Sequence, residues 1–262
     1  MGDSVVWISG ASGGIGQALI RTVPWPGTRV IGISRRPAAG AEHLKADLAD
    51  PSEWGIVGSS FSRELAGFDG ERAVFIHAAG TLEPIGFAGE VDTGAYTANV
   101  VLNSAAGQVL GHLFLAAAAA AGPVRAAGTT RHLVMLTSGA ARSVYPGWSS
   151  YGAAKAALDQ WVRDVGAEQS IRGGVQVLAV APGTVDTDMQ AELRATSAKD
   201  FPSRQKFVDL KAAGKLARAD GVARDLWRLL DAGLENGSVV DLRDLPAARR
   251  GAPQGAGKDR GG

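Results

Sequence analysis

Continuous apolar runs alternate along the chain with stretches whose apolar residues recur at helical spacing. The apolar runs lie at Val5–Ser9, Arg29–Ser34, 73–77, 132–137, 175–181 and 238–242. Helical patterns occupy 14–23, 52–66, 92–121, 151–170 and 219–233. Strands that are apolar at every position and separated by helices are typical of a parallel sheet covered on both faces. The pattern therefore predicts an α/β protein with a doubly wound parallel sheet and helices on both faces.

Residues 1–244 show no internal repeat and no charged linker, so we predict that they form a single domain. The 262 residues, of which 45% are hydrophobic and 20% charged, are enough to bury a sizeable core. The last segment, 245–262, reads LPAARRGAPQGAGKDRGG. Because this composition buries little apolar surface, we predict a disordered tail.

Composition and charge exclude several classes of function. The net charge is +1 and the basic residues are scattered, so we expect no nucleic-acid partner. The absence of Cys removes disulfides, zinc-thiolate sites and thiol catalysis, and it suits a reducing cytoplasm. The four histidines are dispersed without metal-ligand spacing. We therefore expect no metal site.

Neither an export signal nor a membrane span is expected. The opening residues MGDSVVWISG run directly into a strand, without the pattern of a signal peptide. The most apolar run, LFLAAAAAAG at 113–122, is about half as long as a membrane crossing and consists mostly of Ala. It predicts a tightly packed helix in the core or at a subunit interface. We expect a cytoplasmic protein.

A glycine-rich turn, GASGGIG, joins the first strand to the first helix. Gly10, Gly14 and Gly16 give the spacing GxxxGxG. Glycines at such a turn let the backbone approach a pyrophosphate, and the helix N-terminus offers free N–H groups and partial positive charge. A cluster of glycines could also be an ordinary loop, but its place after the first strand favours a dinucleotide site in a sheet of Rossmann type.

The end of the second strand, IGISRRP, indicates which dinucleotide is bound. NAD-binding versions of this turn place an acidic residue there, whereas NADP-binding versions place Arg near the 2′-phosphate. Ser34, Arg35 and Arg36 occupy the position here. Two guanidiniums can fork onto a phosphate, so the sequence favours NADP(H). The alternative is a pair of surface arginines in a turn.

The stretch SSYGAAKAALDQW places Tyr151 and Lys155 four residues apart. Residues at this spacing are neighbours on one face of a helix. A cation beside a phenol makes the phenol easier to ionise, so Tyr151 could exchange a proton near neutrality. The alternative is a solvated helix face, and the pair alone is a weak motif.

Taken together, these motifs resemble the short-chain dehydrogenase/reductase family over about residues 4–242. The glycine turn resembles that family's cofactor loop, HAAG at 77–80 its NNAG segment, and APGTVDTDM at 181–189 its nicotinamide loop. Asn99 in YTANVV resembles its active-site Asn and Ser138 in VMLTSGAA its substrate-binding Ser. HAAG departs from the family pattern because it lacks both Asn residues.

The resemblance implies a set of site residues. Tyr151 donates a proton to the carbonyl oxygen, Ser138 orients the carbonyl, Lys155 lowers the pKa of Tyr151 and holds the nicotinamide ribose, and Asn99 anchors a water that relays protons. The implied cofactor-binding residues are Gly10, Ser12, Gly13, Gly14, Ile15, Gly16, Ser34, Arg35, Arg36, Asp47, Leu48, Ala78, Ala79, Gly80, Tyr151, Lys155, Pro182, Gly183, Val185 and Thr187.

Three stretches resemble the sepiapterin reductase and benzil reductase branch of the family: GTLEPIG, YPGWSSYGAAKAALD and APGTVDTDMQ. They imply NADPH-dependent reduction of a small-molecule ketone or dicarbonyl. Tyr145, Trp148 and Phe201 are candidates to flank a planar substrate, or they pack internally. Asp241 in NGSVVDLRD resembles the Asp that anchors the pterin ring. Alternatively, it closes the last strand, exposed to water or paired with Arg243.

Two further expectations follow from the same resemblance. The helix at 113–122 and the helix that begins near Tyr151 present small residues, as in family members that form homodimers or homotetramers through these helices. The alternative to an enzyme is a dinucleotide-sensing or scaffold protein that keeps the fold without turnover, since fold alone does not establish activity. The presence of Ser, Tyr, Lys and Asn together favours the enzyme.

Overall fold

The computed structural model describes residues 4–122 and 129–245. Its sheet has seven parallel strands in the order β3-β2-β1-β4-β5-β6-β7. The strands are β1 Val5–Ser9, β2 Arg29–Ser34, β3 Glu42–Lys45, β4 Arg72–His77, β5 Thr130–Leu136, β6 Gln176–Ala181 and β7 Val239–Asp241. The prediction of a doubly wound parallel sheet is confirmed.

The described residues contain eight α-helices. They are α1 Gly14–Arg21, α2 Trp54–Leu65, α3 Thr93–Val100, α4 Ala106–Ala120, α5 Ser149–Arg172, α6 Asp188–Ala195, α7 Arg204–Ala212 and α8 Ala219–Leu229. Helices α2, α4 and α5 pack on one face of the sheet, and α1 and α8 pack on the other.

Alternate side chains of each central strand enter two separate cores. On β1, Trp7 points into the core shared with α2 and α4, whereas Ile8 points into the core shared with α1 and α8. Trp7 meets Phe61 and Phe114 edge to face, with ring centroids 5.3 and 6.0 Å apart. Burial on both faces explains why the strands have continuous apolar sequences rather than alternating ones.

The elements that the sequence pattern did not predict are short and exposed. Strand β3 has the sequence EHLK and lies at the sheet edge, where charged side chains face solvent. Helices α6 and α7 each bury one residue, Leu193 and Phe207. Short elements with so little apolar surface leave almost no periodic pattern in the sequence. Of the predicted tail, residues 246–262 lie outside the described residues.

The predicted helix at 92–121 is interrupted by a π-helical segment, Val101–Ala105, between α3 and α4. By length and composition alone, the whole stretch Thr93–Ala120 is one that could cross a membrane, the sole such stretch among residues 4–122 and 129–245. A core helix of a soluble protein meets the same criterion. Here α4 packs against α2, and Leu110 and Phe114 are fully buried.

The direction in which successive strands are added to the sheet reverses between β1 and β4. From β1 the chain proceeds outward through β2 to β3, and then returns to β4 on the other side of β1. The carboxyl ends of β1 and β4 therefore border a crevice, which in open α/β sheets is where ligands bind. The glycine turn and the HAAG segment both start at this edge.

Candidate active site

Glycine is required in the turn after β1 by close backbone approaches. Gly10 has φ +66°, and a Cβ there would lie 2.9 Å from the backbone of Ala79. A Cβ on Gly16 would lie 2.2 Å from the Gly10 carbonyl oxygen. At Gly13, by contrast, a Cβ would meet nothing within 4 Å. This exposed glycine is the N-cap of α1, and no side chain caps the helix there. The turn leaves the N-terminus of α1 open to a phosphate.

The HAAG segment is braced by side chains that stand outside it. The hydroxyl of Ser9 accepts hydrogen bonds from the N–H groups of Ala78 and Ala79, at 3.0 and 3.1 Å. The side-chain oxygen of Asn103, Oδ1, accepts from the Thr81 N–H at 3.1 Å. The backbone N–H groups of this turn are therefore held by Ser9 and Asn103. The departure from NNAG leaves Ala78, Ala79 and Gly80 in an ordered turn beside Gly10.

The end of β2 presents two arginines toward solvent. The Ser34 hydroxyl donates to the Arg36 carbonyl at 2.6 Å, which shapes the turn. The Arg35 side chain is 77% exposed, and its guanidinium lies 4.0 Å from the carboxylate of Asp47. Leu48 beside it is buried. This arrangement brings the predicted adenine-side residues together and leaves both arginine side chains exposed to solvent.

Ser138, Tyr151 and Lys155 converge at the carboxyl end of β5. Ser138 caps a 3₁₀ turn by accepting from the Ala140 N–H, and its hydroxyl lies close enough to Tyr151 to influence the pKa of that phenol. Lys155, one turn further along α5, donates to the Leu136 carbonyl at 3.0 Å. Its Nζ lies 5.9 Å from the Tyr151 ring centroid. The predicted catalytic serine, tyrosine and lysine thus occupy one site.

Burial controls the protonation of both helix residues. It raises the pKa of Tyr151, while the nearby Ser138 hydroxyl acts in the opposite direction. It lowers the pKa of Lys155 to about 8, with the nearby Asp159 carboxylate acting to raise it. The net direction is therefore opposite to the lowering expected from Lys155, because burial of the phenol outweighs it. Tyr151 keeps its proton at neutral pH, which is the form that a proton donor needs.

Asn99 lies away from Lys155, contrary to the expectation for the relay residue. Its amide donates to the Glu83 and Thr81 carbonyls at 2.6 and 3.3 Å, and its oxygen accepts from Asn103. Asn103 lies in the π segment, and both its side chain and that of Lys155 lie beside Gly80. A Cβ on Gly80 would lie 2.7 Å from Asn103 Oδ1 and 3.7 Å from Lys155 Nζ.

The sequence pattern did not predict the π-helical segment, and this segment determines which asparagine lies near Lys155. One extra residue in the helix turns Asn103 toward the β4 end, whereas Asn99 one turn earlier supports the chain at Glu83. Insertions of this kind often occur at functional sites. Asn103 thus replaces Asn99 as the asparagine nearest Lys155.

The loop after β6 closes over the glycine turn. Gly183 has φ +77°, a conformation that favours glycine, and Pro182 precedes it. A Cβ on Gly14 would lie 3.5 Å from the Thr187 methyl, so this loop contacts the start of α1. Val185 is buried and forms a bridge with Ala217. The predicted nicotinamide-loop residues are therefore next to the cofactor turn.

The aromatic residues beside α5 form a packed cluster. Trp148 is 6% exposed and Phe201 is fully buried, with ring centroids 4.6 Å apart. Trp148 also packs on Tyr151 at 5.5 Å. Tyr145 is partly exposed, and its hydroxyl accepts from Lys206 at 2.8 Å. Trp148 and Phe201 therefore pack internally, as the alternative interpretation held. Tyr145 is the more exposed member of the three.

Asp241 is paired within the chain, as the alternative interpretation held. Its side chain is 4% exposed and accepts from Arg243 Nε at 2.9 Å and Nη2 at 2.6 Å. Arg142 approaches the same carboxylate at 3.8 Å. These cations hold the pKa of Asp241 below its ordinary value, although burial acts to raise it. The sequence indicated Arg243 only as a partner of Asp241. Its position beside Gly139 and Gly183, at the edge of the site, is visible only in the structure.

Comparison with known proteins gives consistent relatives. A family model described as short chain dehydrogenase matches residues 4–198. Benzil reductase ((S)-benzoin forming) of Bacillus subtilis is 33% identical over 247 residues, covering 91% of this chain and 98% of that protein. Sepiapterin reductase of Mus musculus is 37% identical over 118 residues, covering 45% of this chain and 44% of that protein. A solved short chain dehydrogenase/reductase from Saccharomyces cerevisiae superposes with TM-score 0.78 at 24% identity, covering 93% and 97% of the two chains.

Proposed function

The chain belongs to the short chain dehydrogenase family, and on that premise we propose that it is an NADPH-dependent reductase of a benzil-like diketone, with Tyr151 as the proton donor. The family assignment expected from the sequence is confirmed, together with its benzil and sepiapterin reductase branch. The family uses NAD(P)(H). The observation that carries the proposal is the convergence of Ser138, Tyr151 and Lys155 at the carboxyl end of β5, with Tyr151 and Lys155 buried and Lys155 donating to the Leu136 carbonyl.

The residues fit a dinucleotide with a 2′-phosphate. The open N-terminus of α1 and the close approaches at Gly10 and Gly16 leave room for a pyrophosphate against the backbone. Arg35 and Arg36 are exposed at the end of β2, where the phosphate of NADP(H) would lie. When bound, this cofactor supplies the hydride for the carbonyl carbon.

The remaining chemistry belongs to the side chains of α5 and its neighbours. As negative charge develops on the carbonyl oxygen, Tyr151 gives its proton to that oxygen, and the Ser138 hydroxyl holds the oxygen in place. The Lys155 ammonium, buried one turn away, stabilises the tyrosinate that remains. Asn103, near Lys155 in the π segment, replaces Asn99 as our candidate for positioning the proton relay.

Ion pairing at Asp241 favours a diketone over a pterin. An amino-pyrimidine ring needs a carboxylate that can accept two parallel N–H bonds, but both Asp241 oxygens already accept from Arg243. The match to the benzil reductase of Bacillus subtilis covers 91% of this chain, whereas the match to the sepiapterin reductase of Mus musculus covers 45%. Both observations support a benzil-like substrate.

The proposal is tested by substrate-dependent NADPH oxidation. The purified protein should oxidise NADPH in the presence of benzil and release a hydroxyketone, with sepiapterin reduced slowly or not at all. NADH should be a poorer donor. Oxidation of NADPH with none of a panel of diketones, quinones and pterins would contradict the assignment.

We also propose that the protein is a homodimer or homotetramer that works in the cytoplasm. Small exposed residues mark both helices that we expect at the interface: Ala116 and Ala119 on α4 and Ala153 and Ala157 on α5. Exposed Val100 and Val109 lie on the same long helical stretch as Ala116. Light scattering at micromolar concentration tests this, since a monomer mass would refute it.

A further inference from the structure

Arg243 is held rigidly at the carboxyl end of the last strand. It lies in the 3₁₀ turn Leu242–Asp244 that follows β7. Asp241, buried at 4% exposure, accepts from its Nε and Nη2 in a fork. Paired charge-assisted bonds of this kind are directional and strong. The guanidinium is therefore oriented by a carboxylate that cannot turn away into solvent.

The side chain extends from the loop after β6 to the serine that would hold the reacting carbonyl. A Cβ on Gly183 would lie 3.1 Å from Arg243 Cδ, so the aliphatic stem crosses that loop. A Cβ on Gly139 would lie 3.4 Å from Arg243 Nη2, and Gly139 directly follows Ser138. The absence of side chains at both glycines gives the arginine its path. The guanidinium therefore lies beside Gly139, the residue that follows the catalytic serine.

The guanidinium keeps donors for a ligand. Asp241 uses two of its five N–H groups, and the Arg243 side chain remains 60% exposed. The charge around it is balanced, because Asp241 and Asp244 both act on Arg243 and Arg142 lies 3.8 Å from the Asp241 carboxylate. Two cations beside two carboxylates favour a neutral acceptor, such as a carbonyl oxygen, over a substrate with its own negative charge.

We propose that Arg243 donates a hydrogen bond to the second carbonyl oxygen of a 1,2-diketone while Ser138 and Tyr151 bind the first. The inference rests on the proposed function, because it deepens the substrate class of the same site. In a 1,2-diketone the two oxygens lie on adjacent carbons, which matches a second donor next to the serine. A site with a donor built for one substrate oxygen discriminates strongly against an analogue that lacks it. Arg243 is thus the residue that selects diketones.

The experiment compares benzil with deoxybenzoin, in which a methylene replaces one carbonyl. The native enzyme should reduce benzil with a kcat/KM about 10- to 100-fold higher, the range expected for one hydrogen bond to a charged donor. Arg243→Met should remove most of that difference by lowering kcat/KM for benzil alone. Arg243→Lys keeps a positive charge beside Asp241 but loses the fork, so its preference should be intermediate.

The matched control is Arg142→Met, which removes the other arginine of the same ion cluster. It should preserve the preference for benzil. Melting temperature and NADPH affinity, measured on all four proteins, show whether each variant is folded and competent. Equal losses on both substrates in a folded Arg243→Met or Arg243→Lys variant, or equal rates on both in the native enzyme, would overturn the inference. If the native enzyme binds NADPH but reduces neither ketone, the proposed function fails and this inference fails with it.

Discussion

The two halves of the site are built by different means. On the cofactor side, backbone approaches at Gly10 and Gly16 form the cradle, and few side chains are needed. On the substrate side, Ser138 follows β5, Tyr151 lies on α5 and Arg243 lies in the turn after β7, so side chains from three separate elements form the pocket. A backbone cradle needs a short glycine pattern in one stretch, whereas a side-chain pocket draws on residues over a hundred positions apart. The first is general to a family and the second sets what each member reduces.

The largest expected effect separates chemistry from cofactor binding. Tyr151→Phe removes the proton donor while leaving the packing against Trp148 in place. We expect diketone reduction to fall by a factor of at least about 100, the usual size of general-acid catalysis. NADPH affinity, measured by cofactor fluorescence, should stay within a few-fold. An unimpaired Phe variant would remove Tyr151 from the mechanism and leave the substrate half without a catalyst.

A second substitution tests the one place where side chains decide on the cofactor side. Replacing Arg35 and Arg36 with Ala should weaken NADPH far more than NADH, because each lost charge-assisted contact is worth about 1.5–3 kcal/mol. Dissociation constants for both cofactors should be measured in the native and double-variant proteins. The control is Arg63→Ala, an exposed arginine on α2. Equal losses for NADPH and NADH would show that these arginines do not read the 2′-phosphate.

The third prediction uses a pair of variants to test the backbone cradle itself. Gly16→Ala places a methyl group 2.2 Å from the Gly10 carbonyl oxygen, so the turn must shift, and overpacking of this kind costs about 1–3 kcal/mol. Gly13→Ala adds the same methyl where nothing lies within 4 Å. Chemical denaturation should show the loss in Gly16→Ala and little change in Gly13→Ala. Equal stability of the two would mean that the turn adapts and that close approach is not what requires glycine.

Sequence predicted the backbone half nearly completely. The order of strands and helices, the glycine turn and the loop around Gly183 all follow from local patterns, because each depends on a few neighbouring residues. The predicted Ser138, Tyr151 and Lys155 also come together, since a helix places the last two on one face.

What escaped the sequence depends on geometry that no local pattern records. The π segment moves the asparagine beside Lys155 from the expected Asn99 to Asn103, and a single inserted helical residue leaves no mark in composition. The approach of Arg243 to Gly139, next to Ser138, joins residues 104 positions apart and depends on the absence of side chains at Gly139 and Gly183. The Tyr151 pKa was predicted from one neighbour, whereas burial by the whole site decides its direction.

The smallest expected effect concerns the charge on Lys155. Because burial lowers the pKa of this ammonium to about 8, reduction should decline as the pH rises through about 8 and the lysine loses its proton. Asp159, buried one turn further along α5, acts to raise that pKa. Asp159→Asn should therefore move the alkaline limb of the kcat/KM profile to lower pH, with little change near pH 6, where the lysine stays charged in both proteins. His77 also lies close enough to interact electrostatically with this lysine, but burial lowers its pKa to about 3, so His77 stays neutral over the whole range. The matched control is Asp164→Asn, an exposed acid on the same helix that accepts a hydrogen bond from Gln160. If both variants keep the native profile, the limb does not report Lys155, and the electrostatic coupling along α5 is not part of how the substrate half works.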